Sequence, residues 1–278
     1  MTDNSPPATW RLILESHPQA GALNMATDEA LLREVAARHS PPTLRLYAWT
    51  PPALTLGRGQ PFSDSNIAAL EADGITLLRR ATGGTAVFHE DELSYTVAAT
   101  SDEPRLPGGI VESYKGLSIA LLFALEKIGL HNAEASGHAE SRSGPRSPGA
   151  VRSPVCFELP SDYEITVGQR KLFGSAQMRV KGGILQHGTL PLSGDIARVG
   201  DYLSARPPAD RIRAHALTLR DALGHTVVWR EIADGLAEGF TTTLNLTLIP
   251  APLLPAERRL IDQLVTEKYT NPAWTERI

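Results

Sequence analysis

Two residues in the middle of the chain have the chemistry for acyl transfer. Cys156 is the only cysteine in 278 residues, and Lys171 follows it 15 residues later. A thiolate attacks acyl carbonyls, and an ammonium beside it stabilises the oxyanion that forms. If both face one pocket, an acyl group can pass through a thioester. Neither residue carries the argument alone. A single free cysteine is most often a small buried apolar side chain, and a strand lysine is most often solvated.

Three glycine-bearing blocks give these residues a context. The block Leu78-Arg79-Arg80-Ala81-Thr82-Gly83-Gly84-Thr85-Ala86-Val87-Phe88-His89 reads as a strand, a Gly-Gly turn and a second strand ending in histidine. Paired glycines let backbone N–H groups approach a ligand, and an arginine beside them can fork onto a carboxylate or phosphate. A Gly-Gly pair on its own is usually a hairpin turn. Gly168 to Gln177 carries Lys171 into a Leu172-Phe173 strand and then a Gly174-Ser175 turn. Gly182 to Leu190 places an apolar strand before another polar turn, Gln186-His187-Gly188-Thr189. His187 there serves as a base or satisfies a local hydrogen bond. The eight histidines show no close pair with ligand spacing, and there is no second cysteine, so no metal site is expected. P-loop, dinucleotide and G-x-S-x-G patterns are absent.

Stepping outward, short alternating segments predict strands at Trp10–Leu14, Thr43–Tyr47, Ala53–Leu56, Ile75–Leu78 and Leu244–Ile249. Thr85–Phe88 and Leu93–Ala98 read as a hairpin. Tyr163–Val167, Lys171–Phe173 and Gly183–Gln186 supply further strands. Asn24–Ala37 is an amphipathic helix with Met25, Ala26, Ala30, Leu31 and Val35 inward and Asp28, Glu29, Arg33 and Glu34 opposite. Ile67–Ala72, Ile110–Ile128, Ile232–Thr243 and Pro255–Tyr269 are the other main helices, with short ones at Ile196–Leu203 and Leu217–Leu223. Strands in the middle with helices at the flanks argue α+β, with mixed β-sheets flanked by helices.

The expected organisation is a disordered lead over 1–9, a catalytic domain over 10–249 and a helical tail over 250–278. The Ser-, Gly- and Pro-rich stretch 132–153 reads as a mobile loop immediately before Cys156. A net charge of −4 gives no general pull toward nucleic acid or anionic membrane. One cysteine excludes an intrachain disulfide framework and suits a reducing cytoplasm. The N-terminus lacks the basic and apolar regions of a secretory signal, and no apolar run reaches the roughly 20 residues of a membrane span. A cytoplasmic location is expected.

Arg79-Arg80-Ala81-Thr82-Gly83-Gly84 with Ala86-Val87-Phe88-His89, Lys171 with Gly174-Ser175-Ala176-Gln177, and Gln186-His187-Gly188-Thr189-Leu190 resemble the three signature blocks of the lipoate–protein ligase and octanoyltransferase family. The likeness runs from about Trp10 to Glu267-Lys268-Tyr269 and Trp274-Thr275. It implies the biotin/lipoyl protein ligase-like catalytic domain, with mixed sheets enclosing a tunnel for a medium-chain acyl group. Cys156-Phe157-Glu158-Leu159-Pro160-Ser161-Asp162-Tyr163-Glu164 resembles the cysteine-type octanoyltransferases. Those take octanoate from acyl carrier protein, hold it as a thioester and pass it to a lysine of a lipoyl-domain protein such as glycine-cleavage H protein.

By this resemblance Cys156 and Lys171 are catalytic. Arg79, Thr82, Gly83, Gly84, His89, Gly174, Ser175, Gln177, His187, Gly188 and Thr189 line the substrate pocket. No cofactor is implied; ATP and Mg would enter only for an ATP-dependent lipoate–protein ligase, which does not need the cysteine. A lipoyl or octanoyl amidotransferase between lipoyl domains is a further alternative. About 30 residues after Ile249 leave room for one or two helices rather than a ligase's accessory domain.

Overall fold

The structure, a computed structural model, describes residues 5–136 and 164–278. The first half runs β1 (Ala8–Leu14), α1 (Gly21–Ala36), β2 (Thr43–Tyr47), β3 (Ala53–Leu56), α2 (Ile67–Ala72), β4 (Thr76–Arg79), β5 (Val87–His89), β6 (Glu92–Thr100), α3 (Ile110–Lys127) and β7 (Ala133–Ser136). The second half runs β8 (Glu164–Val167), β9 (Arg170–Lys171), β10 (Gly174–Val180), β11 (Gly183–Pro191), α4 (Ala209–His215), α5 (Leu219–Leu223), α6 (Trp229–Thr243), β12 (Leu246–Pro250), α7 (Pro255–Leu264) and α8 (Pro272–Thr275). Ile196–Tyr202 forms a 3₁₀ helix, and a π turn, Val265–Tyr269, follows α7.

A six-stranded sheet of order β10-β11-β6-β2-β1-β12 is the frame. Its β10 to β2 part is antiparallel, and β2, β1 and β12 run parallel. Alternation along each strand sorts its side chains onto two faces. Leu44, Leu46, Tyr95, Val97, Ile184 and Leu190 meet α3 and α6 in the largest core cluster. On the opposite face Ile13, Ala98 and Leu185 pack against Leu31, Leu32 and Val35 of α1. This is the mixed α+β architecture that the residue pattern predicts.

A second sheet, β4-β3-β5, stands beside the first, with β3 parallel to β4 and antiparallel to β5. This corrects two expectations. β5 and β6 are consecutive but lie in different sheets, so the segments around Thr85–Phe88 and Leu93–Ala98 form no hairpin. The Gly83-Gly84 segment joins strands that both flank β3, so it is a crossover loop and not a hairpin turn.

A third small sheet, β7-β8-β9, contains Ala133–Ser136, where the sequence suggests loop. The rest of that expected loop, together with Cys156, lies outside the described residues. β1 begins at Ala8, two residues inside the expected lead. Gly174-Ser175 and Gln186–Thr189 are not turns. They lie within β10 and β11, antiparallel partners in the register Gly174↔Thr189 to Val180↔Gly183. Both strands carry glycine and polar residues because they form the wall of a cavity. No helix among the described residues is long and apolar enough to cross a membrane.

Candidate functional site

A cavity of about 380 Å³, partly open to solvent, is lined from α1, the large sheet and the small sheet. Its large-sheet wall comes from Tyr47, Ser94, Gly174, Ser175, Ala176, His187, Gly188 and Thr189, and its small-sheet side from Thr55, Arg80, Val87 and His89; Met25 and Trp49 complete it.

His187 stands on β11 with both ring nitrogens engaged. Nδ1 is 2.9 Å from Asp28 Oδ2, and Nε2 is 2.7 Å from Thr82 Oγ1. Asp28 also accepts from Arg45 Nη1 at 2.8 Å and from the Tyr47 hydroxyl at 3.0 Å. Burial pushes the Asp28 carboxyl up, but the His187 hydrogen bond and the Arg45 guanidinium outweigh it and leave the pKa below the ordinary value. An ionised carboxylate only accepts, so the His187 proton belongs on Nδ1 and Nε2 faces the Thr82 hydroxyl. Burial, and then the Asp28 charge, raise Tyr47 well above its usual range, keeping it a donor.

His89 repeats this pattern on the small sheet. Nδ1 is 3.0 Å from Glu92 Oε1 and Nε2 is 2.9 Å from Thr55 Oγ1. Its ring stacks on Trp49 at 3.8 Å between centroids and 11° between planes. Trp49 Nε1 donates to Ser94 Oγ at 3.0 Å, and Ser94 in turn donates to Glu92.

The adjacent arginines part company. Arg80 reaches the cavity and donates to the carbonyls of Gly83 and Thr85, both at 2.8 Å, and of Thr55 at 3.2 Å. Arg79, which the resemblance assigns to the pocket, is fully buried elsewhere. It donates to the carbonyls of Gly57 at 2.8 Å, Gln60 at 2.5 Å and Thr275 at 2.9 Å, tying the end of the chain to this loop. Consecutive residues at a strand end point opposite ways, so only one of the pair can face the cavity.

The other expected site residues sort as follows. His89, Gly174, Ser175, His187, Gly188 and Thr189 line the cavity. Thr82 supports it through His187. The Gly83 carbonyl holds Arg80. Gly84 has φ +92°, and a Cβ there would stand 2.7 Å from Arg80 Nη2, so it acts through that arginine and is not on the wall. Gln177 is off the wall as well. Its amide donates to Ser113 Oγ at 3.0 Å and Gln186 Oε1 at 2.9 Å. Gln186 donates to the Tyr95 hydroxyl at 2.9 Å, which lies 3.0 Å from Ser175 Oγ.

Lys171 is 1% exposed, with Nζ 2.5 Å from Glu164 Oε1. It is therefore no solvated strand residue, and Glu164 supplies the counter-charge that a buried ammonium needs. Gly174, three residues further on, begins the cavity wall. Sequence reasoning missed Asp28, Arg45, Tyr47, Trp49, Glu92 and the role of Arg80. The signal for Asp28 was its place on a helix that packs on a sheet, beside an equally buried Glu29 that binds Tyr269 and Lys268.

Comparison with solved structures first gives the class. Lipoate-protein ligase A bound with ATP superposes with a TM-score of 0.77 at 24% identity, covering 98% of this chain and 99% of the other. The bi-partite lipoate protein ligase of Thermoplasma acidophilum gives 0.77 at 22% identity, covering 98% and 97%. These likenesses establish a lipoate ligase fold. The description "Lipoyl protein ligase A/B catalytic domain" then matches residues 20–241, so the chain belongs to that family. Curated relatives include Octanoyltransferase LipM of Kyrpidia tusciae, 38% identical over 97% of this chain and 99% of the relative. Octanoyltransferase LipM of Symbiobacterium thermophilum is 38% identical over 96% and 98%.

Proposed function

We propose that this chain is an octanoyltransferase of lipoate biosynthesis that works through a thioester on Cys156. Its standing as a transferase of the family rests on octanoyltransferase relatives matched over nearly their whole length. The observation that supports the site is that blocks far apart in sequence, around Arg80–His89, Gly174–Ala176 and His187–Thr189, line one cavity.

In the first half-reaction the Cys156 thiolate attacks the thioester of octanoyl-acyl carrier protein. A carbon–sulfur bond forms to Cys156, the bond to the carrier's phosphopantetheine sulfur breaks, and that sulfur leaves as a thiolate that takes up a proton. In the second, the neutral amine of a lysine on a lipoyl-domain protein, such as glycine-cleavage H protein, attacks the acyl-cysteine. The amide bond forms, the amine sheds a proton and the Cys156 thiolate is released. Lys171, whose Nζ donates to Glu164 Oε1, stabilises the oxyanion in both steps. A thioester becomes an amide, so no nucleotide is consumed.

Intact-protein mass spectrometry after incubation with octanoyl-acyl carrier protein, without ATP, tests this. We expect one octanoyl adduct on the parent and none on Cys156→Ser, which should also lose ATP-free transfer. Unchanged turnover in Cys156→Ser would sink the thioester mechanism, and a strict need for ATP would favour the ligase.

A further inference from the structure

Thr189 is the one polar side chain on the cavity wall whose hydroxyl has no hydrogen-bond partner among the described residues. Every other polar side chain on the wall is committed within the protein. His187 and His89 each bridge a carboxylate and a threonine hydroxyl. Tyr47 donates to Asp28, Trp49 donates to Ser94, and Ser94 donates to Glu92. Arg80 is spent on backbone carbonyls, and Ser175 is paired with Tyr95. The wall thus shows an apolar chain mainly ring faces and carbon, although it is built from histidine, arginine and serine.

The strand register explains the exception. Thr189 stands across from Gly174 on one side, where no side chain can cover it. On the other side it faces Ser94, whose hydroxyl is already engaged. Thr189 itself is 4% exposed, so bulk water does not satisfy it. A buried hydroxyl left unpaired is costly, which makes it a mark of where a ligand's polar atom sits. An acyl thioester carries no donor and one strong acceptor, its carbonyl oxygen. A free hydroxyl donor in an otherwise satisfied cavity is the complement of that oxygen.

We propose that the Thr189 hydroxyl donates a hydrogen bond to the carbonyl oxygen of the bound acyl group and holds the oxyanion that develops there. This rests on the acyl-transfer reading above and adds the place where the acyl head lies. The test compares the parent with Thr189→Val, which removes the hydroxyl, and Thr189→Ser, which keeps it. Octanoyl labelled with 13C at C1 is loaded from acyl carrier protein, and the carbonyl band of the acyl-enzyme is read by isotope-edited infrared spectroscopy. The valine variant should form acyl-enzyme about 10²-fold more slowly, the scale of losing one oxyanion donor. Its carbonyl band should move to higher wavenumber, and the serine variant should restore both. A role in packing alone could slow the reaction but would leave the band in place. If the valine variant does not fold, Thr189→Ala takes its part. An identical carbonyl band with and without the hydroxyl overturns the assignment. If the parent forms no acyl-enzyme, the acyl-transfer reading fails instead, and the same infrared comparison on bound 1-13C-octanoic acid still decides whether Thr189 touches the carbonyl.

Discussion

His187 on the large sheet and His89 beside the small one each sit between a buried carboxylate and a threonine hydroxyl, yet the two carboxylates are held differently. Asp28 lies in a charged lattice. Arg45 binds it at 2.8 Å while also reaching Glu15 and the Asn24 side chain, both at 2.6 Å, and its guanidinium lies 3.8 Å from the centre of the Tyr47 ring. Glu92 meets the His89 imidazole and the Ser94 hydroxyl, and its wall is steadied by the Trp49 stack and by Arg80 on backbone carbonyls. One wall is locked by charge, the other by stacking and main-chain hydrogen bonds. The charge-locked wall joins α1 to β11, the strand that carries both His187 and Thr189, so it should tolerate change least.

The strongest way to break that contrast is steric. A Cβ on Gly188 would stand 2.6 Å from Tyr95 Cε1 and 2.9 Å from the Gly174 carbonyl, and would also run into Ser175 Oγ. The Ser175 hydroxyl can turn aside, but the Gly174 carbonyl is β10 backbone and the Tyr95 ring is fully buried in the core. Gly188→Val should therefore lower octanoyl transfer by about 10²-fold or more, the cost of displacing a positioned group by an ångström. Transfer assayed on the folded variant decides it. Activity within a few-fold of the parent would mean the large-sheet wall yields more easily than its packing suggests.

Charge offers the next test. Asp28→Asn removes a carboxylate from Arg45 and His187 and should cost about 3 kcal/mol in denaturant unfolding, the scale of breaking a buried pair. Glu92→Gln removes a carboxylate that meets an imidazole and a hydroxyl rather than an arginine, and should cost about 1 kcal/mol, the scale of a weakened hydrogen bond. The pH dependence sharpens this. The Asp28 carboxyl is depressed in the folded protein, so its contribution is complete above the unfolded value of about 3.9. It is lost as pH falls through the folded pKa. The stability gap between parent and Asp28→Asn should be widest near neutral pH and shrink in acid. A gap that stays constant down to pH 3 would show that Asp28 matters for shape and not for charge.

Much of the frame was legible because burial follows period. β1, β2, β3, α1 and α3 lie where their apolar residues recur. The sequence misled where function suspends that rule. Glycine and polar residues in Gly174–Ala176 and Gln186–Thr189 look like turns, but they are strand residues, and Gly174–Ala176 and His187–Thr189 line a cavity that needs close backbone approach and hydroxyls. Asp28 and Glu29 look solvated because they are charged, and they are buried because Arg45, His187, Tyr269 and Lys268 meet them from elements distant in sequence. The Arg79–Arg80 block was found as a block. Which arginine faces the cavity depends on strand phase, and the hairpin assumption obscured that phase. Pairings between elements far apart in sequence, such as Arg79 of β4 with the Thr275 carbonyl of α8, leave no local signal at all.

The smallest effect separates two neighbouring glycines on the side of the cavity held by main-chain hydrogen bonds. A Cβ on Gly83 would meet nothing within 4 Å, whereas one on Gly84 would crowd Arg80 Nη2 at 2.7 Å in a backbone with φ +92°. Gly83 contributes its carbonyl to Arg80, and alanine keeps a carbonyl. Gly83→Ala should therefore change stability by no more than about 0.5 kcal/mol and leave transfer near the parent rate. Gly84→Ala should lose about 1 kcal/mol, because an L-residue is strained at that φ. It should also slow transfer through a displaced Arg80. Since Gly84 is not itself on the wall, its loss should be of similar size for short and medium acyl donors. Thermal unfolding together with transfer rates across donor lengths checks both variants. A loss at Gly83→Ala that grows with donor length would put that glycine against the acyl chain, and the side now assigned to main-chain support would have to be redrawn as a contact surface.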